Sequence, residues 1–262
     1  MPRANRHYIP GYIWHLTHRC HKKEFLLKFA RDRQSYVHWL YEARKRFGIT
    51  ILNYTVTSNH VHLLVRDTGG KNSIPATVQL VAGHTGQQYN RRKHRKGAYW
   101  EDRYHATTIE SGVHLRRCLA YIDLNMVRAG AVDHPKDWVW GGYQEIQGKR
   151  CRNRVIDLKA LKDVFEMDSV ENLRKSHAEW IRTALGGAEM GRDEIWTKSI
   201  AVESEDFVCR TQQRIGIKVK GRKVVEKGGA FTLREPISDY GVYSRPENNP
   251  IVPENRYLWD VL

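Results

Sequence analysis

Two histidines one residue apart, His60 and His62, sit in the stretch 53–66 (NYTVTSNHVHLLVR). In a strand, side chains alternate between faces, so both imidazoles project from one side while Val61, Leu63 and Val65 supply a core layer on the other. Rigid backbone would then deliver two ligands to a divalent metal ion. The segment 111–130 (SGVHLRRCLAYIDLNMVRAG) places Leu115, Leu119, Ile122 and Met126 at helical spacing. At about 100° per residue, His114, Arg117, Tyr121, Asn125 and Arg128 gather on a neighbouring polar stripe. Tyr121 and Asn125 are one turn apart, so the Asn125 amide oxygen could join His60 and His62 around the ion with Tyr121 beside it. A phenol so placed is suited to attacking a phosphodiester. The ion polarises a phosphoryl oxygen, the phenolate becomes a covalent nucleophile, and Arg117 and Arg128 hold phosphates.

These side chains meet only if the elements carrying them fold into one sheet. Patterning predicts a strand over 9–19, a helix over 31–47, strands over 50–57 and 60–66, a helix over 74–90, a strand over 104–109 and then the tyrosine helix. That β-α-β-β-α-β order describes an α+β, ferredoxin-like arrangement, an antiparallel sheet with helices on one face. Gly69-Gly70-Lys71-Asn72 reads as the turn leaving the histidine strand, and Gly130 as the cap of the tyrosine helix. His105, His114 and Glu110 are candidates to support the site from behind.

Four stretches, in order, carry a resemblance: residues 2–20 (PRANRHYIPGYIWHLTHRC), 58–65 (SNHVHLLV), 97–109 (GAYWEDRYHATTI) and 121–132 (YIDLNMVRAGAV). Together they resemble the IS200-like or REP-associated tyrosine transposases, the Y1 transposase domain of the HUH endonuclease class. The likeness spans residues 1–145 and ends near the aromatic run Trp138-Val139-Trp140-Gly141-Gly142-Tyr143. It implies that His60 and His62 are the HUH pair, Tyr121 the catalytic nucleophile and Asn125 the third metal ligand, with Mg²⁺ or Mn²⁺ as cofactor. It further implies an enzyme of DNA transposition and recombination that cuts single-stranded or hairpin DNA. The cut leaves a 5′-phosphotyrosine linkage and a free 3′-hydroxyl, and no nucleotide cofactor is needed. Relatives work as dimers or otherwise, so a homodimer stays open. Two departures stand out: Thr57-Ser58 where the family often has Met-Pro or Pro, and Met126 where it often has Pro. Neither removes a reacting group.

Composition suits an anionic partner. Lys and Arg total 44 against 29 acidic residues, a formal charge of +15, which favours phosphate contacts without separating DNA from RNA. The densest run, Arg91, Arg92, Lys93, His94, Arg95 and Lys96, precedes Tyr99 and Trp100 and could track a strand while bases stack. No apolar run approaches a membrane span, and the basic N-terminus lacks the apolar core of a signal peptide, so a cytoplasmic location is expected. Cys20, Cys118, Cys151 and Cys209 are scattered and read as reduced thiols. Residues 146–262 are expected to form a mainly helical extension, with helical patterns at 158–165, 170–185 and 206–216 and a loop-rich stretch at 236–249. This extension could assist DNA recognition or serve as a lid or dimer arm. Two other functions compete with strand transfer. One is a domesticated regulator that binds hairpin DNA without cutting it, and the other an RNA-binding module of the RNA-recognition type, which lacks its aromatic motif here.

Overall fold

The computed structural model describes residues 8–68, 72–149, 152–187, 195–216, 223–227 and 230–234. Its first half follows the sequence pattern: β1 (Ile13–Arg19), α1 (Ala30–Phe47), β2 (Thr50–Val56), β3 (His60–Arg66), α2 (Ser73–Lys93) and β4 (His105–Ile109). The strands lie in the order β2-β3-β1-β4, each antiparallel to its neighbour, which is the ferredoxin-like unit. Asn72 enters α2 with a left-handed φ of 66°, whereas Gly69, Gly70 and Lys71 of the expected turn lie outside the described residues.

Register decides which side chains share a face. Thr17 of β1 pairs with His62 and His105, and His15 pairs with Leu64 and Thr107, so these six project from one side. Trp14, Leu16, His18, Val61, Leu63 and Val65 take the other side, which α1 and α2 cover. Trp100 closes that layer: its ring stacks on His18 at 4.1 Å, meets Tyr36 of α1 edge-on and donates Nε1–H to the Ala82 carbonyl of α2 at 3.0 Å.

The tyrosine segment packs on the opposite face as α3 (Val113–Asp123) and the short α4 (Asn125–Arg128). Asn53 and Thr55 of β2 donate to the carbonyls of Leu119 and Ile122 at 3.4 and 3.0 Å. Helices on one face thus describes α1 and α2 only. The histidine side also carries Ile13, Leu64 and Ile109, apolar groups that need a cover of their own. The single helix expected over 111–130 is interrupted at Leu124 (φ −80°, ψ 3°). Gly130 ends it as expected, with φ 66° and paired bonds from Ala131 N–H to the Met126 carbonyl and from Gly130 N–H to Val127.

The aromatic run shields β2, the edge strand. Val56 N–H donates to the Trp140 carbonyl at 2.9 Å, Gly142 N–H to Tyr54 at 2.8 Å, and Trp138 Nε1–H to Val56 at 3.2 Å, so the edge is not left open for another strand. Gly142 has to be glycine, because a Cβ would collide with Asn53 Oδ1 and come within 2.6 Å of Ile156.

The extension departs most from expectation. Its α6 (Leu158–Val164), α7 (Val170–Gly186) and α9 (Glu205–Ile215) lie where periodicity placed helices, and α5 (Tyr143–Ile146) and α8 (Ile195–Lys198) are single turns. It also contributes β5 (Ser199–Glu203), β6 (Lys223–Lys227) and β7 (Ala230–Arg234), extending the sheet to β2-β3-β1-β4-β5-β7-β6 among the described residues. Because β5 runs parallel to β4, the sheet is mixed rather than antiparallel throughout, and the extension is not built of helices alone. Each new strand has five residues, too few for alternation to stand out. Residues 236–249 lie outside the description.

Nor is residue 145 a gap in packing: Val155, Ile156, Leu161 and Leu173 share one core cluster with β1–β4. Buried Glu145 ties them in, accepting from Tyr54 Oη and from the Val155 and Ile156 N–H groups at 2.8–2.9 Å. Fully buried His177 of α7 donates Nε2–H to Asp123 at 2.8 Å. Its Nδ1 accepts from Gln147, while Asn53 reaches the other Asp123 oxygen at 3.1 Å. Removing one partner of a buried pair leaves a charge short of hydrogen bonds. His177→Ala is therefore expected to cost about 3 kcal/mol in urea unfolding; an unchanged midpoint would mean that α7 does not dock through this pair.

Candidate functional site

His60 and His62 leave β3 toward α3 and α4. His62 is buried at 1% exposure, His60 is half-buried, and their rings meet edge-on at 4.9 Å. His60 Nδ1 lies 2.7 Å from Asn59 Oδ1 and 3.0 Å from Thr57 Oγ1. The Thr57 hydroxyl gives its proton to the His60 carbonyl, and the Asn59 amide donates to Lys23. Both neighbours of Nδ1 therefore accept, so Nδ1 carries the proton and Nε2 of the neutral ring the lone pair. Asn59 and Thr57, the latter a departure from the family pattern, together orient this ring.

Across the groove, Asn125 Nδ2 lies 3.1 Å from His62 Nε2 and donates to it, so the amide would have to turn its oxygen inward to serve as a ligand. Tyr121 stands edge-on to His62 and His15, centroids at 5.8 and 6.2 Å, with Trp196 at 6.3 Å. The Arg128 guanidinium covers the Tyr121 ring at 4.2 Å and donates to the Tyr121 carbonyl, leaving Tyr121 8% exposed. Tertiary structure thus brings together His60, His62, Asn125 and Tyr121, residues predicted from two separate segments. Two imidazoles and an amide oxygen form a donor set suited to a borderline or hard divalent ion. Among the described residues no group of three His, Cys, Asp or Glu side chains could hold a metal, so an ion here would depend on the amide.

His15 was not singled out from sequence. Completely buried, it touches the Trp196 carbonyl through Nδ1 at 2.9 Å and His62 Nδ1 through Nε2 at 2.8 Å. Desolvation, opposed in part by the Trp196 carbonyl, pushes its pKa down to about 3. Its signal was the alternation of His15 and Thr17 on β1, the same period as His60 and His62.

The stretch from β1 to Asn125, which contains all of these groups except Arg128 and Trp196, matches a known family: residues 9–125 fit the profile of the IS200-like transposases. The match covers less than half of the chain, and the likeness is to an IS200-like transposase domain. No protein of curated function matches the chain. Among solved structures, similarity extends to a REP-associated tyrosine transposase bound to a REP hairpin, at 20% identity and a TM-score of 0.48, over 57% of this chain and 87% of that one. A candidate transposase from Deinococcus radiodurans R1 is similar at 17% identity and a TM-score of 0.33, over 48% and 95%.

The cationic residues are distributed around the matched region. Arg91, Arg92, Lys93, Arg95 and Lys96 lie at the C-terminal end of α2, in the layer on the far side of the sheet from Tyr121. Within that run Arg92 is paired with Asp32 and Arg95 lies 3.4 Å from Glu24, whereas Arg91, Lys93 and Lys96 are exposed. Lys93 sits 5.2 Å over the ring of Phe29, itself 50% exposed. Arg128 faces the Tyr121 ring, and Arg117 is half-buried on α3. The three supporting candidates all meet β5 or the residue after it: His105 contacts the Ser199 carbonyl, His114 lies 3.0 Å from Glu203, and Glu110 accepts from Ser204. Burial and the nearby Glu110 carboxylate push Glu203 up to about 8. Cys20 and Cys118 are buried and Cys209 half-buried, all three as free thiols, while Cys151 lies outside the description. No helix among the described residues is long and apolar enough to cross a membrane.

Proposed function

We propose that this protein is a single-stranded DNA endonuclease and strand transferase of DNA transposition, working through a 5′-phosphotyrosine intermediate. The observation that carries the reading is Tyr121 packed against His62, whose Nε2 faces Asn125 at 3.1 Å. His60, His62 and Asn125 would hold Mg²⁺ or Mn²⁺, which when bound polarises a phosphoryl oxygen. The Tyr121 hydroxyl gives up its proton and its oxygen bonds to phosphorus. The bond to the 3′ oxygen breaks, and that oxygen leaves as a hydroxyl. The phosphodiester survives as a tyrosyl ester, so attack by another 3′-hydroxyl rejoins strands without a nucleotide cofactor. The net charge of +15 supports a nucleic-acid substrate, and hairpin DNA is the partner named for the similar REP-associated transposase.

One observation favours the regulator that binds without cutting: Tyr121 is 8% exposed beneath Arg128. The RNA-recognition reading loses ground because the buried His15, His62 and Thr107 on one face and Trp14, Leu16 and Leu63 on the other leave β1, β3 and β4 no open platform for bases.

Purified protein with labelled single-stranded hairpin DNA and Mg²⁺ or Mn²⁺ is expected to give a heat-stable labelled band on a denaturing gel, absent with EDTA. Retention on native gels without that band would favour the regulator. The exposed cations of the basic run make a separate prediction. Replacing Arg91, Lys93 and Lys96 with Ala should lower the salt slope of binding by about 2, at about 0.7 per single-strand phosphate contact. An unchanged slope would place the DNA elsewhere.

A further inference from the structure

We infer that the region beyond residue 145 completes the site: the Trp196 carbonyl, acting through His15, fixes His62 in the tautomer that turns its Nε2 lone pair toward Asn125. His15 is then a positioning residue. Its consequence for metal binding rests on the ligand role proposed for His62; the tautomer itself does not.

The hydrogen bonds allow one direction of donation. A carbonyl only accepts, so the 2.9 Å contact with Trp196 requires a proton on His15 Nδ1. His15 is completely buried and neither of its hydrogen-bond partners is a carboxylate, so the ring is neutral with a bare Nε2. The 2.8 Å contact with His62 then requires His62 Nδ1–H to donate. Ring geometry agrees: the planes lie within 14° and the centroids 5.0 Å apart, so with the nitrogens at 2.8 Å the rings meet end to end, as an N–H and a lone pair must. Thr17 Oγ1, at 3.5 Å from the same nitrogen, is too distant to compete. What remains on His62 is an Nε2 lone pair, the form a metal ligand needs; His15 sets it from behind, and Asn125 Nδ2–H, 3.1 Å from Nε2, favours the same tautomer from the front.

The carbonyl is available because of where the chain turns. Trp196 lies in the single turn α8, and its carbonyl accepts from side chains, as the carbonyls of a last helical turn generally do. Thr107 Oγ1 reaches the same oxygen at 3.2 Å and the Ser199 carbonyl at 2.6 Å, and His105 also reaches Ser199. Polar side chains of β1 and β4 thus seat α8 against the site. The transposase match ends at residue 125, so this part of the site comes from outside the matched region.

The test uses the full chain, labelled with ¹⁵N and free of metal. Long-range ¹H–¹⁵N correlation reports which ring nitrogen carries each proton. His15 and His62 are both expected as Nδ1–H. His15→Phe should convert His62 to Nε2–H and weaken Mn²⁺ binding, followed by electron paramagnetic resonance, about 10–100-fold. His15→Gln keeps an acceptor toward His62 and should restore the tautomer and most of the affinity. His62 found as Nε2–H in the unaltered protein, or as Nδ1–H in folded His15→Phe, overturns the relay. If His15→Phe fails to fold, the unaltered protein and His15→Gln still decide. Correct tautomers without Mn²⁺ binding would uphold the relay and instead count against the proposed metal site.

Discussion

Tyr121→Phe is expected to abolish the covalent protein–DNA linkage while leaving hairpin binding unchanged. The substitution deletes one oxygen, and the ring can keep its edge contacts with His62 and His15 and its place beneath Arg128. A nucleophile has no substitute within the same side chain, so linkage should fall by at least about 10⁴-fold. The denaturing gel reads the linkage and fluorescence anisotropy reads binding. Persistent adduct would transfer the nucleophile to another residue. Loss of binding along with the adduct would instead mean that the hydroxyl serves recognition.

His62→Ala should have the second-largest effect. It removes a proposed ligand that lies at 1% exposure between His15 Nε2 and the Asn125 amide. Outer-shell partners of a metal are worth about 10–100-fold in affinity, and a ligand should exceed that. Cleavage in Mn²⁺ concentrations that saturate the unaltered protein should fall to background. Part of any loss will be stability, since truncating a buried side chain costs about 2–5 kcal/mol. Activity is therefore compared at a temperature where a melting curve shows the variant folded. Cleavage by folded His62→Ala with an unchanged Mn²⁺ dependence would remove the metal role from this histidine.

Tyr121 is held by groups from three parts of the chain: His15 and His62 on the sheet, Arg128 just after it, and Trp196 from the extension. The extension is thus in contact with Tyr121, and the lid, dimer arm or DNA-recognition helper expected from sequence omits this placement. The buried Asp123–His177 pair, two residues from Tyr121, fixes α7 to the same helix.

The sequence by itself determined whatever depends on local geometry. Period two puts His60 and His62 on one face, a helical turn that survives the interruption at Leu124 puts Tyr121 and Asn125 on one side, and Gly130 ends the segment through a left-handed residue. These constants hold for any chain, so both halves of the site and the β-α-β-β-α-β order were legible. Only the tertiary structure decided what lies behind the site. His15 meets His62 across 47 positions and Trp196 across 181. The second of those contacts is made by a backbone carbonyl, which every residue has and no motif can mark. The same holds for β5, a five-residue strand specified by the free edge of β4, and for Arg128, turned onto an aromatic ring that its helical stripe could equally have directed to solvent. Local periodicity assigned the reacting groups, whereas long-range register and a helix-end carbonyl set the orientation of the buried histidine among them.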